Sequence, residues 1–278
     1  MTEGRERIAK VLAGRGVASR REAERMVREG LVEVNGEVLT DVATGVDPTK
    51  DKIKVDGRLI PPAARRAYYL LYKPKGYIVS RADPNARKSV MELLPDLPAR
   101  VEPVGRLDIN TEGALLLTND GELAHALAHP SRGVPKHYLA KVYRTPNERT
   151  LERIAAGIPL DDGPTAPCKV RVVKTTDRDN AWVEITVTEG RNRLIRRIFA
   201  AVGHPVSKLT RLSFATISVR GLEPGQFRML TAPEVRRLRE VAEGTPASAA
   251  GRRSRPRREG FAKADPAWVE RRSRKQPR

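Results

Sequence analysis

Apolar residues recur at helical spacing at Ile8, Val11 and Leu12; after Gly14 and Gly16 interrupt the run, Ala23, Met26 and Val27 resume it. This pattern predicts two short helices, the second opened by Ser19 with Glu22 three residues on, the spacing of a capping box. The period then shortens to two. Leu31, Val32, Glu33 and Val34 alternate up to Asn35-Gly36, a hairpin signal, and a further strand over 52–55 ends at Asp56-Gly57. Pro61, Pro62, Ala63, Ala64, Arg65 and Arg66 have linker composition, and a continuous apolar strand follows at 68–72. Beyond it the pattern predicts a turn at 73–77, a second strand ending at Val79 and a basic loop over 84–88. A short apolar strand around Val101 and Val104 then leads, through Gly105, Arg106, Asp108, Glu112 and Gly113, into the apolar run 114–117.

Farther on, helices are predicted over 122–128, 148–156, 191–201 and 233–241. Strands are predicted over 136–143, 169–174 and 181–188, around Val206, Leu209 and Leu212, and over 215–219. The alternation lacks the regular period of a doubly wound sheet, so an α+β domain on a mixed sheet fits it better. The chain divides into a small N-terminal module at 5–60, a linker at 61–67, a larger domain at 68–243 and a tail at 244–278. The tail has almost no apolar periodicity and carries eleven Lys and Arg against Glu259, Asp265 and Glu270, so it is expected to be disordered. An electrostatic arm on RNA and a solubilising tail both fit it.

Charge narrows the class of partner. Lys and Arg number 53 against 34 Asp and Glu, a net charge of +19 over 278 residues, which points to a polyanion, nucleic acid before membrane. The N-terminal module is nearly balanced as a whole, but Arg15, Arg20, Arg21, Arg25 and Arg28 gather on the second helix and the turn before it, as a phosphate-docking face would. A solvated helix face would carry the same residues. Cys168 is the only cysteine, so neither an internal disulfide nor a multi-cysteine zinc site can form. His125 and His129 are four apart but lack the zincin glutamate between them, and no metal site is expected. Neither a signal segment nor a membrane span is read, so a cytoplasmic protein without membrane contact is expected. No Gly-x-Gly-x-x-Gly follows a strand, which argues against a dinucleotide or methyl-donor cofactor.

The candidate chemistry lies between Glu102 and Asp120, where Arg106, Asp108 and Glu112 are wedged between two segments that must be buried. A rigid carboxylate beside an arginine suits catalysis. Asp108 and Asn110 equally fit the closing of a turn through side-chain hydrogen bonds, and the residues alone leave both readings open.

Two resemblances sharpen this picture. Arg7 to Ala13, Gly16-Val17-Ala18-Ser19-Arg20-Arg21-Glu22-Ala23 and Gly30-Leu31-Val32-Glu33-Val34-Asn35-Gly36 resemble an S4 RNA-binding domain. Gly105-Arg106-Leu107-Asp108-Ile109-Asn110-Thr111-Glu112-Gly113 and the run on to Gly121 resemble the active-site motif of RsuA/RluB-type ribosomal RNA pseudouridine synthases. Lys73-Pro74-Lys75-Gly76-Tyr77, Lys136-His137-Tyr138 and Glu189-Gly190-Arg191-Asn192-Arg193-Leu194-Ile195-Arg196-Arg197 match the same family in the same order. Tyr72 and Leu194 depart from it, standing where Asn and Gln are common.

The resemblance implies a mainly antiparallel pseudouridine synthase fold, ribosomal RNA as partner, a monomer and no cofactor. It implies that Asp108 is the nucleophilic carboxylate, that Tyr138 lies against a flipped-out base and that Arg196 pairs with the aspartate. It also makes Arg106, Arg193 and Arg197, together with Arg15, Arg20, Arg21 and Arg25 of the S4 module, the expected RNA contacts. The expected activity is isomerisation of a uridine, in large-subunit rather than small-subunit RNA by overall likeness, including the run Leu160-Asp161-Asp162-Gly163. A non-catalytic RNA-binding assembly factor and a base-modifying hydrolase are the alternatives.

Overall fold

A computed structural model describes residues 4–80, 85, 87–94, 97–176 and 179–244, which belong to one compact unit. The tail expected to be disordered lies, from Thr245 on, outside the described residues, and so does part of the expected basic loop at 84–88.

The N-terminal module runs β1 (Glu6–Arg7), α1 (Ile8–Gly14), α2 (Arg20–Arg28), β2 (Val32–Val34), β3 (Glu37–Leu39), β4 (Gly45–Val46), β5 (Ile53–Val55) and β6 (Arg58–Leu59). The Ser19 hydroxyl caps α2 by accepting from the amide of Glu22, but the reciprocal half of the expected capping box is not formed, the Glu22 carboxylate being taken by Arg25. Asn35 and Gly36 both take positive φ, which closes the β2–β3 hairpin with the twist its strands need. Ile8, Leu12, Ala23, Val27, Val32 and Ile53 form a core of its own.

The larger domain continues with β7 (Tyr68–Lys73), β8 (Glu102–Pro103), β9 (Thr111–Thr118), α3 (Gly121–Ala128), β10 (Lys136–Val142), α4 (Glu148–Ala156), β11 (Pro159–Leu160) and β12 (Gly163–Pro164). It closes with β13 (Lys169–Thr175), β14 (Ala181–Val187), α5 (Leu194–Ala201), β15 (Val206–Phe214), β16 (Ile217–Ser218), β17 (Phe227–Met229) and α6 (Ala232–Ala242). The main sheet has the order β13-β14-β10-β15-β9-β7-β17, with β16 beside β15 and β8 beside β9. Among the described strands of this sheet only β15 and β9 pair parallel; the others pair antiparallel.

Two clusters cover one face of this sheet. Ala140, Val142, Val183, Ile185 and Val187 pack against Ile154 of α4 and Ile195, Ile198 and Phe199 of α5. Tyr69, Leu71, Leu115 and Leu117 pack instead against Val90, Leu94, Val101 and Leu107 from the connection between β7 and β9. Tyr138 touches both clusters and so marks the seam between them.

Two expectations change and one element was missed. No strand reaches Val79; Ile78 forms one isolated bridge with Ser89. The helix expected from 191 begins at Leu194, because Arg193 before it is left-handed, with φ 48°. The edge strand β17 was not legible in the pattern; it is three residues long and is recruited by pairing with β7.

On the opposite side of the domain, Asp120 joins α3 to its surroundings. It is 3% exposed, accepts from the amide of Leu123, the hydroxyl of Tyr68 and the guanidinium of Arg239, and lies 3.4 Å from Arg66. Burial alone would raise its pKa; the Leu123 amide, the Tyr68 hydroxyl, Arg66 and Arg239 outweigh that and hold it below the usual carboxylate value. A depressed carboxylate stabilises the fold above its unfolded pKa, and that stability is lost as pH falls through the folded value. Wild-type unfolding free energy is therefore expected to fall below about pH 4, and more steeply than in Asp120→Asn, when both are followed by urea melts across pH.

At Gly113 the main sheet leaves no room for a side chain. Its φ is 111°, and a Cβ there would overlap the carbonyl oxygen of Arg211 on β15. Gly113→Ala is expected to destabilise the domain by about 3 kcal/mol or more, read as a lower urea midpoint at unchanged slope.

Candidate active site

Asp108 stands on the turn entering β9, and its backbone carbonyl accepts from the amide of Thr111 at 3.0 Å. The turn is thus closed by main chain. The half-buried Asp108 carboxylate makes no hydrogen bond or ion pair among the described residues, so the turn-closing role that its side chain could have had is not the one it plays.

The carbonyls of this turn are held from two sides. Lys73, at the end of β7, is 0% exposed, and its ammonium donates to the carbonyls of Pro74 at 3.0 Å, Ile109 at 3.4 Å and Thr111 at 2.9 Å. The amide of Gly76 also donates to Ile109 O, at 2.9 Å. From the other side, Arg196 of α5 reaches Asn110 O at 3.2 Å with one amino group and Val206 O at 3.0 Å with the other. A loop whose carbonyls are so occupied has little freedom, and its carboxylate is fixed with it.

Charge follows the same plan. Burial pushes the Lys73 ammonium down to about 8, while Glu112 and Asp108 pull it up and Arg211 opposes them. Burial and Arg193 lower Arg196, and Asp108 raises it. Lys73 and Arg196 therefore both feel the Asp108 charge. The direct ion pair expected between Asp108 and Arg196 is absent; the guanidinium is taken up by the two backbone carbonyls instead. Tyr138 lies half-buried on β10, with Arg211 as its partner on β15 and Ile185 on β14.

The expected RNA contacts separate into two groups. Arg106, Arg193, Arg20 and Arg21 are exposed and carry no hydrogen bond or ion pair among the described residues. The other three, Arg197, Arg25 and Arg15, are committed internally. Arg197 forms a two-pronged pair with Asp162 at 2.9 and 2.6 Å, and the arginine holds that carboxyl at about 2. Arg191 joins it, donating to Asp162 and to Gly163 O, both at 2.8 Å, so the Leu160 to Gly163 run is a hairpin pinned to α5. Arg25 is neutralised along its own helix by Glu22 and Glu29. Arg15 is not on the solvent side: it donates to the carbonyls of Pro48 and Pro61 and ties the helix to the following segments.

Lys10 of α1 pairs with Glu122 of α3 at 2.8 Å, bringing the N-terminal module against the larger domain. The cleft between them, about 810 Å³, is lined by Lys10, Arg15, Arg20, Arg21, Arg66 and Arg100 among others. His129 accepts from the amide of Ser131 and caps a short turn, and no cluster of metal ligands occurs among the described residues. Lys73 and Arg211 were missed in the sequence. For Lys73 a signal existed, a lysine closing an otherwise apolar strand before a proline; Arg211 lies in a strand of mixed polarity that gives none.

Comparison with known proteins gives the family. The chain matches the family model described as RNA pseudouridylate synthase over residues 67–201 and the S4 domain over residues 6–53. A Bacillus subtilis protein called "Ribosomal large subunit pseudouridine synthase B" is 44% identical over 239 residues, covering 86% of this chain and 97% of that one. A Salmonella typhimurium protein of the same name is 40% identical over 250 residues, covering 87% and 84%. Among solved structures, one described as "Crystal structure of pseudouridylate synthase" superposes with a TM-score of 0.59 at 29% identity, over 84% of this chain and 99% of that one. With these matches over most of its length, the chain belongs to the RNA pseudouridylate synthase family, with an S4 domain preceding the catalytic one.

Proposed function

We propose that the protein isomerises a specific uridine of large-subunit ribosomal RNA to pseudouridine, with Asp108 as nucleophile, Tyr138 against the flipped-out base and Arg196 as the cation that fixes the aspartate turn. The observation that carries the reading is the Asp108 carboxylate, left without an internal partner on a turn whose neighbouring carbonyls are all occupied. The choice of large-subunit RNA is supported by the names of the Bacillus and Salmonella relatives, which cover nearly the whole described chain.

The chemistry fits these groups. Breaking the bond between sugar and base develops positive charge at the anomeric carbon, and an ionised carboxylate nearby offsets it or adds to it covalently. Lys73 and Arg196 both feel the Asp108 charge and bring positive charge near it, without consuming its oxygens in hydrogen bonds. The base has to leave the helical stack to be reached, and Tyr138 offers a ring at the seam for it to rest on. Isomerisation changes neither redox state nor composition, so the reading calls for no cofactor, and the groups it uses come from one chain. Ribosomal RNA as substrate goes with a cytoplasmic setting.

RNA affinity in this reading rests on Arg106, Arg193, Arg20 and Arg21 rather than on every basic residue. Replacing Arg20 and Arg21 with Gln is expected to make the plot of log affinity against log salt shallower by about two, as measured by filter binding to ribosomal RNA.

For catalysis, wild-type protein is expected to create a carbodiimide-dependent reverse-transcription stop at one uridine of a large-subunit RNA transcript, with RNA mass unchanged. Asp108→Asn is expected to lose the stop while still binding the RNA. An active Asn variant would remove the nucleophile assignment, a mass change would indicate hydrolysis, and a stop confined to small-subunit RNA would move the substrate.

A further inference from the structure

Across the sheet at the level of the Asp108 turn, one row of register partners runs from Tyr138 on β10 to Arg211 on β15, Gly113 on β9 and Lys73 on β7. Cross-strand partners project to the same side, so Arg211 lies between the tyrosine and the lysine that grips the turn. It is 3% exposed. Its Nε donates to Ala114 O at 2.7 Å, and its guanidinium carbon is 5.0 Å from the centre of the Phe214 ring. The second amino group, Nη2, is buried with no acceptor, and no carboxylate pairs with Arg211 among the described residues. The charges that respond to it are cations: it lowers both Lys73 and Lys136, the latter itself 6% exposed and also over the Phe214 ring.

An unpaired buried guanidinium between two ammonium groups opposes folding, and a nonpolar side chain of the same length would pack there at less cost. A spare donor of this kind fits a site where negative charge arrives only during the reaction. The isomerisation proposed above supplies such a charge. When the bond from the anomeric carbon to N1 breaks, its electron pair leaves with the base, and the uracil ring becomes anionic. The pair that forms the new bond comes from C5, which then gives up its proton while N1 takes one, so atoms and electrons balance without any oxidant or reductant.

We propose that Arg211 is a positioning residue for this step: a fixed buried cation beneath Tyr138 that stabilises the detached, anionic uracil through space. The proposal rests on the isomerase reading. Arg211 acts by its field rather than by touching the RNA, and because it is already desolvated and held by Ala114 O and Phe214, it needs no rearrangement when the charge appears.

The test compares wild type, Arg211→Met and Arg211→Lys for single-turnover pseudouridine formation on a large-subunit RNA transcript at saturating enzyme, for RNA affinity and for thermal melting. Arg211→Met is expected to melt no lower than wild type and to bind RNA equally, yet to react about a hundredfold more slowly, with Arg211→Lys between the two. A rate for Arg211→Met within about threefold of wild type overturns the proposal. So does a loss that follows lowered melting, with the rate per folded molecule unchanged, or a loss of affinity alone. Should Arg211→Met not fold, Arg211→Gln, which also lacks the charge, decides by the same readouts. A wild-type protein that forms no pseudouridine would instead sink the isomerase reading, and this proposal with it.

Discussion

The site depends on the occupation of a few backbone carbonyls. Pro74, Ile109, Asn110 and Thr111 each present an oxygen near Asp108, and Lys73 and Gly76, at and just after the end of β7, and Arg196 from α5 donate to them. A carboxylate on a surface loop would sample many orientations and find a lysine or arginine to pair with. Here the cations that could have paired with it are committed to main-chain oxygens, those of Ile109, Asn110 and Thr111 among them. They keep their positive charge within reach of Asp108 but leave its oxygens free, which distinguishes this carboxylate from one held in a structural salt bridge.

That arrangement needs a sheet able to bring distant segments together without filling the space between them. The α4 and α5 helices cover one half of the face, and the connection between β7 and β9 covers the other. Tyr138 sits where the two meet, and Gly113 allows β9 and β15 to approach at the only parallel pairing among the described strands. The cations buried near this seam, Lys73, Arg211 and Lys136, oppose folding individually, and apolar packing on either side of the seam offsets them.

The basic character of the chain is less uniform in its use than in its composition. Arg191 and Arg197 pin the β11–β12 hairpin to α5 through Asp162, Arg15 ties its helix to Pro48 and Pro61, and Arg25 is balanced on its own helix. Of the arginines expected to meet RNA, those left unpaired among the described residues, Arg20, Arg21, Arg106 and Arg193, are divided between the S4 module and the catalytic domain. A polyanion that meets both groups is held over a wide footprint, with few internal pairs to break first.

Much of the architecture was legible from the residues. The change from helical to alternating period separates the α1–α2 pair from the β2–β3 hairpin. Asn35-Gly36, Asp56-Gly57 and Ser19 with Glu22 place their turns and cap, because those side chains impose local backbone geometry whatever surrounds them. The motif around Asp108 was legible for the same reason, as a polar turn between buried strands. What the residues could not determine is which partner each charge would find, since Arg197 and Asp162 lie 35 positions apart and Arg196 and Asn110 lie 86 apart. The expected Asp108–Arg196 pair, the solvent-facing Arg15 and the RNA-facing Arg197 all failed at that step, and the short strand β17 escaped notice because only β7 makes it a strand. Local backbone preferences and burial patterns are properties of neighbours in the chain and were therefore written in the sequence; pairing between distant charges, and the burial of Lys73 and Arg211 beside the aspartate turn, exist only once the sheet has closed.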